Sequence, residues 1–64
     1  MFATDGALNL GNGLYSVEWM NRDVAWLAVG GEELMHLDGA WRKVVIRKVL
    51  RTRDGMAVVR VQVV

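Results

Sequence analysis

RKVVIRKVLRTRDGMAVVRVQ, residues 42–62, decides how this chain folds. It holds seven Lys/Arg and one acid, in a chain whose formal net charge is only +1. It also holds Asp54-Gly55, flanked on both sides by valines and cations. Asp-Gly between apolar runs is a strong hairpin signal, because both central positions of a type I′ turn take positive φ. With a two-residue turn there, Leu50 opposes Val59, Lys48 opposes Val61 and Ile46 opposes Val63. That largely apolar face is expected to look inward. The other face pairs Arg53 with Met56, Arg51 with Val58, Val49 with Arg60 and Arg47 with Gln62. The register that buries the valines thus gathers Arg47, Arg51, Arg53 and Arg60 on the outer face. Replacing Arg47, Arg51 and Arg60 by Ser is therefore expected to leave the fold intact.

Working outward, Gly, Asn and Asp cut the chain at short intervals: GNG at 11–13, NRD at 21–23, GGE at 30–32 and DG at 38–39. Between the cuts lie β-branched and aromatic residues, and no window of helical length shows a 3.6 period. Six short strands are expected, at 7–10, 14–20, 24–29, 33–37, 41–52 and 56–64. The fold class is all-β: one antiparallel meander over residues 1–64, a single domain curled into an SH3-like or OB-like partly open barrel. A turn at Asn12-Gly13 sets Leu10 opposite Tyr15 and Leu8 opposite Val17. Tyr15, Val17 and Trp19 alternate with polar residues and are expected in the core. A turn at Asp38-Gly39 sets His36 opposite Trp41 and Leu34 opposite Lys43, with neither face cleanly apolar. A β-bulge near 41–43 would restore the phase. VAWLAV, residues 24–29, is apolar on both faces; it is either a central strand covered twice or a subunit interface, and Trp26 goes with it. Phe2 is placed to cover the barrel's open end.

Composition narrows the function. A chain of 64 residues buries only about 60% of its unfolded surface, so a lone monomer is marginally stable. There is no Cys and one His, which removes disulfides and the common zinc cages. A dense apolar core or oligomerisation must compensate. Apolar β surface in VAWLAV, 41–52 and 56–64 exceeds what this length readily covers, so a homodimer is expected. No signal-peptide pattern precedes the first strand, and VAWLAV is far short of the ~20 residues that span a bilayer as a helix. Met1 is read as the start of a short complete reading frame, and the location as cytoplasmic, with no membrane partner.

Residues 1–40 carry a charge of −5 and residues 41–64 carry +6. Such asymmetry points to an interaction surface, or to acidic strands lying beside basic ones. Catalysis finds little support. Ser16 is the one Ser and has no nucleophile elbow around it. Glu32 and Glu33 are neighbours that point to opposite faces of a strand. Glu33, His36 and Asp38 are a weak metal set, and GALNLGNG lacks the Lys-Ser/Thr of a phosphate loop. No enzyme, metal or cofactor is expected. The candidate binding residues are Trp41, Arg42, Lys43, Arg47, Arg51, Arg53 and Arg60. An aromatic beside cations anchors protein contacts or stacks on bases. Two functions follow. One is a non-catalytic module that docks on a larger protein or nucleoprotein assembly and modulates or inhibits it, in the style of small phage-encoded inhibitors, an analogy of size and build alone. The other is a nucleic-acid-binding small barrel that uses the basic 42–60 hairpin.

Overall fold

A computed structural model describes residues 2–3 and 6–64, with side chains from residue 6 onward. The Phe2 side chain therefore lies outside what is described. The chain forms β1 (Phe2–Ala3), β2 (Leu8–Gly11), β3 (Leu14–Met20), β4 (Glu32–Leu37), β5 (Ala40–Arg51) and β6 (Met56–Val63). One 3-10 turn, Asn21–Asp23, follows β3. All six strands join a single sheet in the order β1-β4-β5-β6-β3-β2. Every pairing is antiparallel except β1 on β4. β4, β5 and β6 are a meander, and the long connection from β3 to β4 brings β3 back beside β6, a Greek-key path rather than the simple meander expected. The sheet ends at β1 and β2, so it is open and not a closed barrel.

The 42–62 register differs from expectation by one residue next to the loop and by two beyond Arg47, and the turn is the cause of the first slip. Gly55 has φ +84, but Asp54 is not in the left-handed region, so Asp54-Gly55 is not a type I′ pair. The loop is instead three residues long, 53–55, closed by the Thr52 N–H donating to the Met56 carbonyl at 2.9 Å. The Thr52 hydroxyl binds the Asp54 carboxylate and receives the Met56 N–H, which fixes the longer loop. A three-residue hairpin with Gly in the last position is a standard alternative to the two-residue turn. The slip turns every side chain next to the loop over. Val49 now faces Val59 on the inner side, while Leu50 and Lys48 face Val58 and Arg60 outside. A bulge between Ile46 and Lys48 then resets the phase, so that Val44 and Ile46 are buried as expected. The bulge expected at 41–43 is thus at 46–48. A bulge bends the strand that carries it, so β5 bends within its twelve residues at this point.

The first hairpin shows the same effect on a smaller scale. Asn12 and Gly13, with φ of 55 and 78, do form the turn. A bulge between Asn9 and Gly11 shifts the pairing, so Leu8 faces Ser16 outside and Asn9 faces Tyr15 inside. The middle hairpin pairs as expected, His36 with Trp41 and Leu34 with Lys43. VAWLAV is not a strand. Tight turns with bonds to the third residue before run through and just past it: Val24 N–H to Asn21 O at 3.1 Å, Leu27 N–H to Val24 O at 3.0 Å and Gly31 N–H to Ala28 O at 3.1 Å. Three-residue steps bury Val24 and Leu27 under the sheet and leave Trp26 61% exposed, so Trp26 is not core. The two-sided apolarity that looks like a covered strand is the mark of tight turns with two anchors. Both β5 and β6 are paired on each side, so neither is an edge strand, while Trp26, Val29, Leu50 and Val64 keep their apolar side chains exposed.

With no second layer, the sheet must bury one face against itself. The core is Tyr15, Val17, Val24, Leu27, Met35, Leu37, Val44, Ile46, Ala57, Val59 and Val61, with Trp19 and Val49 packed against it. The smallest dimension is 20 Å, far thicker than one flat layer, so the sheet is strongly curled. Its two halves meet in a polar clasp. The Tyr15 hydroxyl donates to Asp38 Oδ2 at 2.6 Å, and Asn9 Nδ2 donates to the same oxygen at 3.0 Å. This joins the β2–β3 hairpin to the turn between β4 and β5. The bond to the Asp38 carboxylate is the main reason the Tyr15 phenol is held above its ordinary pKa of 10.0, with burial and the Asp38 charge adding and Arg42 opposing.

Two predictions follow from this geometry. Ile46→Ala costs about 2–5 kcal/mol, whereas Leu50→Thr stays within about 0.5 kcal/mol, both read by urea denaturation. Equal losses would restore the two-residue-turn register. The second concerns pH. The folded chain holds the Tyr15 proton more tightly than the unfolded chain, so the unfolded state loses it first as pH rises past about 10. The contribution is complete at neutral pH and is lost as pH rises through that range. Urea midpoints at pH 8 and pH 10.5 should therefore fall further apart for the natural chain than for Tyr15→Phe; equal falls would mean the clasp carries no proton linkage.

Candidate functional site

The seven candidate residues do not form one surface. Trp41 is 48% exposed on the outer face of β5, and its ring meets His36 edge-on at 5.2 Å. Arg42 faces the other way, half-buried, and its Nε donates to the Leu37 carbonyl at 3.2 Å. Lys43 Nζ sits 2.8 Å from Glu32 Oε1 across the β4–β5 pair. That hydrogen bond and the Glu32 charge hold the Lys43 ammonium above its usual pKa. Arg51 is turned by the register slip toward the connection between β3 and β4. Its Nη2 donates to the Ala25 carbonyl at 2.9 Å and to the Leu27 carbonyl at 3.3 Å. Arg53 lies exposed in the loop between β5 and β6. Arg47 and Arg60 remain on the outer face, both exposed.

The expected gathering of four arginines is thus divided by the turn. Arg51 is structural: it ties down the VAWLAV segment, together with Gly30 N–H to Ile46 O and Ile46 N–H to Gly31 O, each at 2.8 Å. What the outer face does assemble is a different group. The bulge turns Lys48 outward, directly opposite Arg60, and Arg60 in turn opposes Ser16. One strand step further, Leu50 opposes Val58, which opposes Glu18. Ser16, Lys48, Leu50, Val58 and Arg60 line a shallow hollow of about 70 Å³. That is far below the ~300–1,000 Å³ of a small-molecule site. Elsewhere on the outer face Leu8, Met20 and Leu34 are exposed, and within the hollow so is Leu50. Among the described residues, Lys43 with Glu32 is the one ion pair, so Arg47, Lys48, Arg53 and Arg60 have no carboxylate within 4.0 Å.

Catalytic sets do not come together. Ser16 lies in the β3–β6 pairing beside Arg60, while His36 lies in the β4–β5 pairing beside Trp41. Asp38 is engaged by Tyr15 and Asn9. Among the described residues no group of three or more His, Cys, Asp or Glu is placed to hold a metal ion. No described helix is long and apolar enough to cross a membrane. Sequence reasoning missed Lys48 and Leu50 because it placed them inside; Ser16 and Val58 it placed outside without singling them out. The signal that would have found them is Thr52, a residue suited to closing a three-residue loop by side-chain bonds to the backbone. No family model, curated protein or solved structure matches this chain.

A prediction separates Arg51 from its neighbours. Arg51→Ala should raise amide hydrogen exchange at Gly30 and Ile46 while leaving Val59 and Val61 protected, and Arg47→Ser should change neither. Unchanged exchange in Arg51→Ala would remove its structural role.

Proposed function

We propose that this chain is a small non-catalytic interaction module that docks on a larger protein or nucleoprotein assembly and modulates or inhibits it. One observation carries the reading: an outer sheet face that holds exposed Leu8, Met20, Leu34, Trp41 and Leu50 together with the cations Arg47, Lys48 and Arg60, which have no carboxylate partner among the described residues. Exposed apolar surface rimmed by polar residues is a feature of protein contact sites. Trp and Arg are the residue types that dominate such contacts. The hollow is too shallow for a small substrate, which favours a flat macromolecular partner. Trp26, presented on a segment anchored by Val24, Leu27 and Arg51, adds a second exposed aromatic. The curled antiparallel sheet supports an SH3-like or OB-like partly open barrel as the scaffold, with the cytoplasm as its location.

A second reading, nucleic-acid binding, draws on Arg47, Lys48 and Arg60, which have no carboxylate partner among the described residues. It is the weaker of the two. Of the cations in 42–60, Arg42 and Arg51 are spent on backbone carbonyls and Lys43 on Glu32, which leaves a short basic row in place of a groove. Neither the row nor the hollow includes an aromatic ring to stack on a base.

The test is retrieval from a nuclease-treated extract on the immobilised chain. A protein assembly retained at moderate salt by the natural chain, and lost with Trp41→Ser combined with Leu50→Thr, is the expected result. A catch made of nucleic acid alone, or one that vanishes with nuclease, would contradict it.

A further inference from the structure

We infer that the row Ser16–Arg60–Lys48 is a carboxylate-binding subsite for an extended protein segment that carries an acidic and an apolar side chain two residues apart. The inference rests on the docking reading above and names the partner's chemistry. Three observations lead to it. First, Lys48 and Arg60 are direct cross-strand partners. Like charges placed opposite each other in an antiparallel pair destabilise it. Arg47, the extra residue of the bulge, adds a third exposed cation beside them, and none of the three has a carboxylate within 4.0 Å among the described residues. Glu18 is one step away and pairs with Val58 instead. An incoming anion relieves this repulsion.

Second, the arrangement is built by the backbone. Ile46 is buried, and unbroken alternation from it would turn Lys48 inward. The bulge between Ile46 and Lys48 re-aims Lys48 to the row that holds Arg60 and Ser16. Bulges commonly re-aim a side chain in this way. The row then offers an ammonium, a guanidinium and a hydroxyl from three adjacent strands, spaced by about 4.8 Å. A carboxylate can take paired bonds from the guanidinium and further bonds from its neighbours.

Third, the floor next to the row is apolar. Leu50 and Val58 share the hollow with Ser16, Lys48 and Arg60, and their row is two residues along the strands. Two residues of extended chain advance roughly 6.6 Å, which is the same step. A strand-like segment with Glu or Asp at one position and Leu, Ile or Val two positions on places its carboxylate on the cations and its apolar side chain on Leu50. A phosphate backbone makes no use of the Leu50–Val58 floor, and the lining holds no aromatic ring on which a base would stack. The chemistry therefore favours an acidic protein segment over a nucleic acid.

The experiment is an NMR titration of the full chain with three probes: the peptide Ser-Glu-Thr-Leu-Thr-Glu-Ser, the same peptide with both Glu replaced by Gln, and a single-stranded oligothymidylate. The Glu peptide should shift the amides of Ser16, Lys48, Val58 and Arg60, and the Gln peptide should bind at least about tenfold more weakly, the loss expected of one hydrogen bond to a charged group. Lys48→Ser with Arg60→Ser should weaken the Glu peptide by at least the same factor. Should that double variant lose its fold, Arg60→Gln alone carries the same expectation. Equal binding of the Glu and Gln peptides, no shift at these residues, or oligothymidylate binding the row more tightly than the Glu peptide would each overturn the subsite. Retrieval from extract separates the two levels. If the Lys48→Ser, Arg60→Ser variant still captures the assembly that the natural chain captures, the subsite fails and the docking reading stands. If the natural chain captures no protein, the docking reading itself falls.

Discussion

A single sheet with no second layer has one way to hide an apolar face, which is to curl around it. That constraint governs this molecule, and the hydrogen bonds from Tyr15 and Asn9 to Asp38 are where the curl is held. The order β1-β4-β5-β6-β3-β2 leaves the outer strands without backbone partners for one another. The link between the two halves is therefore made by side chains. Asp38 can serve because its turn puts it in the left-handed region, with φ 49, and frees its carboxylate from the sheet. Tyr15 can serve because the rest of its ring is buried in the core while its hydroxyl reaches the rim. Aromatic residues with a polar tip suit such a boundary.

The curl explains the remaining irregularities. β5, twelve residues long, bends where the bulge at Arg47 interrupts its pairing. The bend divides the cations of 42–53 into groups with different work. Those before it serve the β4–β5 pair: Arg42 binds the Leu37 carbonyl and Lys43 binds Glu32. Arg51, after it, secures the connection over the end of the core. Lys48 and Arg60, at the bend itself, oppose each other on the outer face and have no carboxylate within 4.0 Å among the described residues.

Much of the fold was legible in the sequence. Asn12-Gly13 and Asp38-Gly39 form the turns that their residue types dictate, and Tyr15, Val17, Ile46, Val59 and Val61 lie in the core as alternation requires. The errors have one physical source. Period-2 alternation cannot reveal how many residues a turn contains, and a single residue turns every neighbouring side chain over. Asp54-Gly55 looks like a two-residue turn until Thr52 is seen to close a longer loop, and Leu50 and Val49 exchange faces as a result. VAWLAV misled for a related reason. A run apolar at every position fits a covered strand and a chain of tight turns equally well, and its flanking NRD and GGE decide for turns. The candidate site suffered most. It was read from the cations alone, whereas their faces depend on the turn and the bulge.

The measurement that tests the account most directly is a double-mutant cycle on the clasp. Tyr15→Phe removes the donor, Asp38→Gly removes the acceptor while keeping a residue suited to positive φ, and the pair removes both. Unfolding free energies of the natural chain and the three variants close the cycle. If the clasp holds the curl, the double variant loses less stability than the sum of the single losses, because each single change already breaks the same bond. Losses that simply add would mean that Tyr15 and Asp38 act independently, and that something other than their contact keeps the sheet curled.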